Sequence, residues 1–316
     1  SSLASNQRII SPQTRFYAVV GPTASGKTEF ALVLAEKLRC EILCVDAMQV
    51  YRGLDIGSAK PLPEERNRIF HHGLDLVSPL ETFSASRFAL YAEFYLEKAL
   101  RENTPLVLCG GTGLYYRALL EGLFEVPDPD PVLRDHLNNR ARQEGTGQLY
   151  KELLSADPEI AQTIHVNDAR RITRALEIIA QTGSTVTELR RTQKRKSWMD
   201  STCFLGMERN REELDERIVH RTLQMYESGL MEETRTLLRL GCTNRNTALQ
   251  ALGYKECYEY LRGRTSLQEA VAITTKETQR YARRQLTWFR RQVPTNWVKI
   301  NTFKDLRQKV DESLQL

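Results

Sequence analysis

The stretch Phe16-Tyr-Ala-Val-Val-Gly-Pro-Thr-Ala-Ser-Gly-Lys-Thr-Glu-Phe30 decides the fold. Phe16–Val20 is a short run of β-formers with no charged residue, and it reads as a strand buried on both faces. Lys27–Leu38 then carries Phe30, Ala31, Leu34, Ala35 and Leu38 at helical spacing. Between them, Gly21-Pro-Thr-Ala-Ser-Gly-Lys-Thr28 fits G-x-x-x-x-G-K-[ST], and the strand before it and helix after it are the context that gives this motif meaning. Its glycines let backbone N–H groups wrap an anion, and the helix N-terminus adds partial positive charge. Lys27 adds a full charge, and the Thr28 hydroxyl suits Mg²⁺. The motif predicts binding of a di- or triphosphate and leaves open which one.

Working outward, Glu41–Val45 is a second apolar run ending at Asp46. Leu106–Cys109 is a third, followed by Gly110-Gly-Thr-Gly113, and Phe83–Leu100 is helical in period. Strands alternating with helices predict an α/β fold with a P-loop NTPase-like parallel sheet. Gly21, Asp46 and Thr112 would then lie along one sheet edge, where open α/β folds bind ligands. Asp46 admits three readings: a carboxylate supporting Mg²⁺, a general base beside the phosphate site, or a turn aspartate. Thr112 reads as a hydroxyl over the phosphate site or as part of an ordinary glycine-rich turn.

After Gly122 the composition shifts. Val126-Pro-Asp-Pro-Asp-Pro131 reads as a hinge, and from Val132 to about Thr192 only helical patterns follow, broken at Gly145–Gly147, Asp157-Pro158 and Gly183. This predicts an inserted helical subdomain at 123–199, within a core formed by 12–122 and 200–316. Ser201–Met207 reads as a further strand, and Arg211–Leu240 and Leu267–Gln292 as long amphipathic helices.

The chain of 316 residues is 41% hydrophobic and 27% charged, which fits a globular protein and excludes a disordered one. No apolar run reaches bilayer length, and Ser1–Ser11 lacks an apolar signal core, so a cytoplasmic protein with no membrane partner is expected. The cysteines, including Cys40 and Cys44, lack zinc-site spacing and read as free thiols. His71 and His72 are adjacent and cannot share a metal face; they and the other histidines read as structural or surface residues. The net charge of +5 is small, but the basic residues cluster. One group is Arg170, Arg171 and Arg174; another is Arg190, Arg191, Lys194, Arg195 and Lys196; a third is Arg280, Arg283, Arg284, Arg290 and Arg291. Each group is either part of a nucleic-acid face or a solvated helix side. Tyr281, Trp288 and Phe289 likewise either stack on RNA bases or face the core.

Several blocks in order carry a family resemblance. They are Gly21–Thr28, Asp46–Pro61, Gly110–Tyr115, Asn167-Asp168 with Arg174–Glu177, Gly253-Tyr254, and Ala282–Trp288. Together they resemble the tRNA dimethylallyltransferase (tRNA isopentenyltransferase) family from about Phe16 to Arg290. The resemblance implies transfer of a dimethylallyl group from dimethylallyl diphosphate to the exocyclic N6 amine of the adenine 3′ of the anticodon, position 37. It implies Mg²⁺ as cofactor, held through Thr28, and the tRNA anticodon stem-loop as partner of a monomeric enzyme. Gly21, Pro22, Thr23, Ala24, Ser25, Gly26, Lys27 and Thr28 would cradle the donor diphosphate. Asp46 would take the amine proton, Thr112 would meet the bridging oxygen, and Arg217 would contact the diphosphate. Asp46, Ala47, Met48, Gln49, Thr112, Arg134, Arg170, Arg171, Ile172, Thr173, Arg174, Gly253, Tyr254, Arg283, Arg284 and Gln285 would meet tRNA.

The chain departs from the family pattern at Ala47, where serine is usual, at Val166, where proline is common, and at Gln279, where arginine is expected beside Arg280. Eukaryotic relatives carry a C-terminal zinc finger; this sequence shows no such Cys/His set, so the bacterial type is expected. Three rival readings are a small-molecule phosphotransferase, an isopentenyltransferase acting on free adenylate, and a non-catalytic RNA-binding module. The first leaves the basic insert unexplained, the second lacks a need for it, and the third leaves the phosphate cradle without a role.

Overall fold

Burial on both faces sets the centre of the molecule. In the computed structural model, which describes residues 14–122, 126–192, 198–300 and 303–315, β1 (Phe16–Val20) is wholly buried. Then follow α1 (Lys27–Leu38), β2 (Ile42–Cys44), α2 (Pro63–Arg68), β3 (His71–His72), α3 (Ala85–Arg101), β4 (Leu106–Cys109) and α4 (Gly113–Arg117). Five helices come next: α5 (Pro131–Glu144), α6 (Thr146–Ala156), α7 (Pro158–Ala161), α8 (Ala169–Thr182) and α9 (Val186–Thr192). After them run β5 (Thr202–Glu208), α10 (Arg211–Glu227), α11 (Leu230–Arg239), α12 (Thr247–Gln250), α13 (Tyr254–Leu261), α14 (Leu267–Gln292), β6 (Thr295–Lys299) and α15 (Phe303–Gln315).

The strands form one parallel sheet in the order β3-β2-β4-β1-β5-β6. The register sets Phe16 beside Leu106 and Thr202, and Cys44 beside Cys109. Parallel strands covered by helices on both faces need no polar alternation, which is why β1, β2 and β4 read as continuous apolar runs. One side of the sheet packs on Phe30, Leu34, Leu306 and Val310 of α1 and α15. The stretch Arg211–Leu240, expected as one helix, is two. Gly229 between them has φ 111°, a left-handed conformation that ends the α10 ladder and that glycine adopts without a Cβ penalty.

Chain contacts divide the described residues into two compact units, one within Ser1–Leu119 and Trp198–Leu316, the other within Leu120–Ser197. The second unit is helical, with Leu137, Leu149, Leu153, Ile160, Ile172 and Ile178 in its own core. Its helices start as the sequence directs: Asp130, Asp157 and Asp168 cap α5, α7 and α8, and Pro131 and Pro158 occupy first-turn positions. No helix among the described residues is long and apolar enough to cross a membrane. All the cysteines carry free thiols. Lys194, Arg195 and Lys196 of the second basic group lie outside the described residues, as does Ser1–Ser11.

Candidate active site

The loop from Gly21 to Gly26 turns through conformations that a run of larger residues would resist. Gly26, at φ 91°, opens α1, and Ala24 sits in the left-handed region at φ 61°. That strained turn is gripped from outside by α10 and the residues before it. Arg217 Nε donates to the Ala24 carbonyl at 2.7 Å, Arg209 Nε to the Ser25 carbonyl at 2.9 Å, and an Arg221 guanidinium nitrogen to Thr23 Oγ1 at 3.0 Å. Carbonyl oxygens are thereby held on the outer side of the loop, while the first N–H groups of α1 keep no partner within the helix. Lys27 Nζ donates to the Pro22 carbonyl at 3.3 Å. The Ser25 hydroxyl, on a residue 1% exposed, has no hydrogen-bond partner among the described residues. An unpartnered buried donor in such a loop is suited to an incoming anion.

Across the sheet edge, Asp46 Oδ1 accepts the Met48 and Gln49 N–H groups at 2.8 and 3.1 Å. Asp46 is therefore a turn aspartate through one oxygen, while Oδ2 has no hydrogen-bond or ion-pair partner among the described residues. Thr112 Oγ1 accepts the Ala47 N–H at 3.0 Å, so the backbone of residue 47 is fixed although alanine brings no hydroxyl. Gln49 Nε2 holds the carbonyls of Ser58 and Ala59 at 3.1 and 3.3 Å. Gly110 has a packing reason: a Cβ there would stand 2.0 Å from the Val45 carbonyl oxygen, so β2 and β4 could not end together around any larger residue.

These groups share one cavity of about 380 Å³. Thr23, Lys27 and Thr28 stand in its wall with Asp46, Thr112, Tyr281 and Gln285, and Ile218, Met225 and Leu252 give it an apolar stretch. Gln285 Nε2 donates to the Gly111 carbonyl at 2.8 Å, and its Oε1 is buried without a partner. Burial lowers the pKa of Lys27, a shift opposed by Cys109 and Asp46 and reinforced by Arg221. Burial pushes the Tyr281 hydroxyl up to about 12, helped by the Asp46 charge, and the Cys109 thiol also to about 12. Both stay protonated at neutral pH, so neither is an anionic nucleophile.

The lowered Lys27 fixes a pH dependence. Its folded pKa lies below the unfolded value, so the ligand-free protein binds fewer protons than the unfolded chain between the two, and its stability rises with pH through that window. A bound diphosphate reverses the shift by stabilising the ammonium. Affinity for inorganic diphosphate should therefore be full below the ligand-free Lys27 pKa and fall as pH rises through it, earlier than for an ordinary lysine. Calorimetry across pH, with proton uptake measured, reports this; a flat affinity up to the ordinary lysine range would rule it out.

The structure redistributes several of the expected roles. Arg217 is not among the residues lining the cavity; it braces the loop through the Ala24 carbonyl, and Arg221, one helical turn later, stands in the wall, as does Arg284 of α14. The i, i+4 spacing of Arg217 and Arg221 could have revealed their shared face. Tyr254 is fully buried, its hydroxyl bonded to Glu233 and to the Gly57 N–H at 3.0 Å, so it positions the 55–57 loop rather than offering a surface contact. Glu233 takes the N–H groups of Asp55 and Ile56 at 3.0 and 2.9 Å in the same arrangement, a residue that the sequence did not single out. Gly253 lies in the cavity wall. Arg283 pairs with Asp215 at 3.1 Å, while Arg284 is exposed over the Tyr281 ring. Of the aromatics on α14, Phe289 is in the core, Trp288 packs against Gly113, and Tyr281 faces the cavity. His71, read as structural, also lines the cavity, with Nδ1 bonded to the Ile69 carbonyl at 2.8 Å.

In the helical unit, Ile172 is 0% exposed and Thr173 bonds back to the Ala169 carbonyl, so their side chains serve packing rather than surface contact. Arg134 and Arg174 converge on the buried Glu177 at 2.8 and 3.1 Å. A carboxylate buried there needs those partners, since an unpaired buried charge is strongly destabilising. Arg170 and Arg171 remain exposed, Arg171 with only a 3.5 Å contact to its own helix cap Asp168. On the nucleic-acid reading of this group, replacing both with alanine should weaken RNA binding and reduce the slope of log affinity against log salt by roughly 1.5. Donor affinity should not change. An unaltered salt slope would make them a solvated helix face.

A parallel sheet whose central strand opens into a glycine-rich loop at the start of a helix, with a carboxylate and a hydroxyl in the same cavity, is a P-loop-like arrangement. The IPP transferase family model matches residues 49–292, and an isopentenyl transferase model matches residues 14–78. The chain belongs to the IPP transferase family. It is 42% identical over 284 residues to tRNA dimethylallyltransferase 2 of Geotalea daltonii, covering 90% of this chain and 87% of that one. Its fold matches the crystal structure of the full-length tRNA isopentenylpyrophosphate transferase from Bacillus halodurans with TM-score 0.66, at 35% identity over 95% of this chain and 98% of that one. A eukaryotic dimethylallyltransferase acting on tRNA matches with TM-score 0.79, at 25% identity over 95% of this chain and 77% of that one.

Proposed function

We propose that this chain transfers the dimethylallyl group from dimethylallyl diphosphate to the exocyclic N6 amine of adenine 37 in the tRNA anticodon stem-loop, releasing diphosphate, as a cytoplasmic monomer. The observation that carries this reading is the single cavity that joins the phosphate cradle, Asp46 and Thr112, and an apolar stretch suited to a five-carbon group. The names of the related proteins support dimethylallyl as the transferred group and tRNA as the acceptor.

The adenine amine is a weak nucleophile because its lone pair is delocalised into the ring. Asp46 Oδ2 accepts its proton as the N–C bond forms, while Oδ1 stays anchored on the Met48 and Gln49 N–H groups. The allylic C–O bond breaks as charge gathers on the diphosphate. Lys27, Arg221 and the α1 N–H groups face that charge, and Arg217 and Arg209 keep the loop in the shape that presents them. Gln285 Oε1, unpartnered in the wall, is available to an N–H of the entering base.

Among the described residues no cluster of three His, Cys, Asp or Glu is placed to hold a metal ion. The cavity offers instead the Thr28 hydroxyl, the Asp46 carboxylate being taken up by its turn and by the proposed proton transfer. So sparse an oxygen donor fits Mg²⁺, which keeps several waters and binds largely through substrate phosphates. When bound it would neutralise charge on the leaving diphosphate.

The test is single-turnover prenylation of an anticodon stem-loop with labelled dimethylallyl diphosphate and no ATP, with the modified base located by mass spectrometry. Prenylated adenine at position 37 and one diphosphate per turnover are expected. An absolute ATP requirement, or free AMP prenylated as well as the stem-loop, would replace this reading with a phosphotransferase or a free-nucleotide enzyme.

A further inference from the structure

A second cavity of about 330 Å³ adjoins the first. Gln250 and Lys255 line both cavities and both are exposed, so these two side chains form the rim between them. The second cavity has walls from Leu249, Tyr258, Ala270 and Ile273, with Glu256 and Thr265 as its inner polar groups. Both of these have a buried oxygen with no hydrogen-bond partner, Glu256 Oε1 and Thr265 Oγ1. Glu256 is only 4% exposed. Its Oε2 accepts the Gly253 N–H at 2.7 Å, which fixes the carboxyl in place, and the Lys255 ammonium stands 3.7 Å from Oε1, beyond hydrogen-bond distance. A buried carboxyl oxygen and a buried hydroxyl with no hydrogen-bond partner among the described residues are costly unless water or a ligand completes them.

We propose that this cavity is a second base subsite, taking the nucleobase that flanks the target adenine, with the exocyclic amine of that base donating to Glu256 Oε1. The inference rests on an RNA acceptor. In a single strand, a base drawn into the first cavity unstacks its neighbour, and the next opening lies just across the Gln250–Lys255 rim. Leu249 and Ile273 offer apolar contact to a flat ring and Tyr258 an aromatic face. Arg262 stacks over the Tyr258 ring, 5.1 Å from its centroid, and pairs with Glu259 of the cavity wall at 3.6 Å, which holds that ring in place. A carboxyl oxygen accepts from the amine of adenine, cytosine or guanine, whereas uracil has no amine to donate. Burial raises the Glu256 pKa, which is consistent with a site that needs a partner to hold its charge.

The experiment places 2-aminopurine, one substitution at a time, on either side of the target adenine in an anticodon stem-loop, and reads its fluorescence on binding. With the wild type, emission should rise at one flanking position as that base leaves its stack. Ile273→Trp fills the cavity from a helix position that is 43% exposed, so the fold is retained. It should abolish the rise and increase the KM for the stem-loop roughly tenfold, with the KM for donor unchanged. Glu256→Gln keeps the Gly253 cap through its amide oxygen but presents an amide NH₂. It should erode the preference for amine-bearing bases over uracil at that position. No rise at either flank, or Ile273→Trp with an unchanged stem-loop KM, overturns the proposal. A wild type that does not prenylate the unsubstituted stem-loop instead overturns the proposed function itself.

Discussion

Asp46→Asn is expected to lower the single-turnover rate by roughly 10²–10⁴, the range for loss of a general base, with RNA affinity close to that of the wild type. The structure makes this substitution cleaner than the sequence suggested. Asp46 Oδ1 closes a turn on Met48 and Gln49, and Oδ2 has no partner among the described residues, which leaves it for the proposed proton transfer. Asparagine keeps an oxygen for the turn, so the 46–49 backbone, also pinned at Ala47 by Thr112, should stay in place. Only the capacity to accept a proton disappears. Rapid-quench kinetics at saturating donor and RNA would measure it. Turnover near the wild-type rate would leave Asp46 as a turn residue and send the search for the base elsewhere in the cavity.

Lys27→Ala should cost roughly 10²–10³ in turnover, the range seen when one preorganised group facing developing charge is removed, together with weaker donor binding. Lys27 is held over the cradle by the Pro22 carbonyl and lies in the cavity wall with Thr28. In the proposed reaction its charge meets the diphosphate both before and during bond breaking, so KM for the donor and turnover should worsen together. Lys27→Arg keeps the charge but lengthens and flattens it, and should recover part of the binding with little of the rate. If Lys27→Ala binds donor normally and turns over normally, the cradle does not act on the leaving group.

The centre of the fold was legible because its strands carry so little besides apolar side chains. β1, α1, β4 and α14 fall where burial pattern and helical period put them. The sheet edges were not legible. β3 is two histidines, and β6, Thr-Asn-Trp-Val-Lys, is only half covered, so neither presents a continuous apolar run. The break between α10 and α11 was hidden because apolar spacing continues on both sides of Gly229. Within the site, the sequence singled out Lys27, Thr28, Asp46 and Thr112, which the structure brings into one cavity wall. It did not separate Arg217 from Arg221, nor surface arginines from those that neutralise Glu177. Those distinctions depend on which neighbour each side chain meets across the fold, and spacing along the chain carries no record of that.

The grip of α10 on the phosphate loop has a consequence for how the protein is made. Arg217 and Ala24, joined by one hydrogen bond, are 193 residues apart in sequence, with the whole helical unit between them. The central strand β1 is flanked on one side by β5, which also follows that unit. A ribosome that has extruded only the first half of the chain holds a β1 with one open edge and a glycine-rich loop with nothing to brace its left-handed turn. Contacts of such long separation form late, and unpaired strand edges invite association with other chains. The nascent protein therefore passes through a window in which one edge of its central strand is unpaired and its glycine-rich loop is unbraced. That window closes only when α10 has been synthesised.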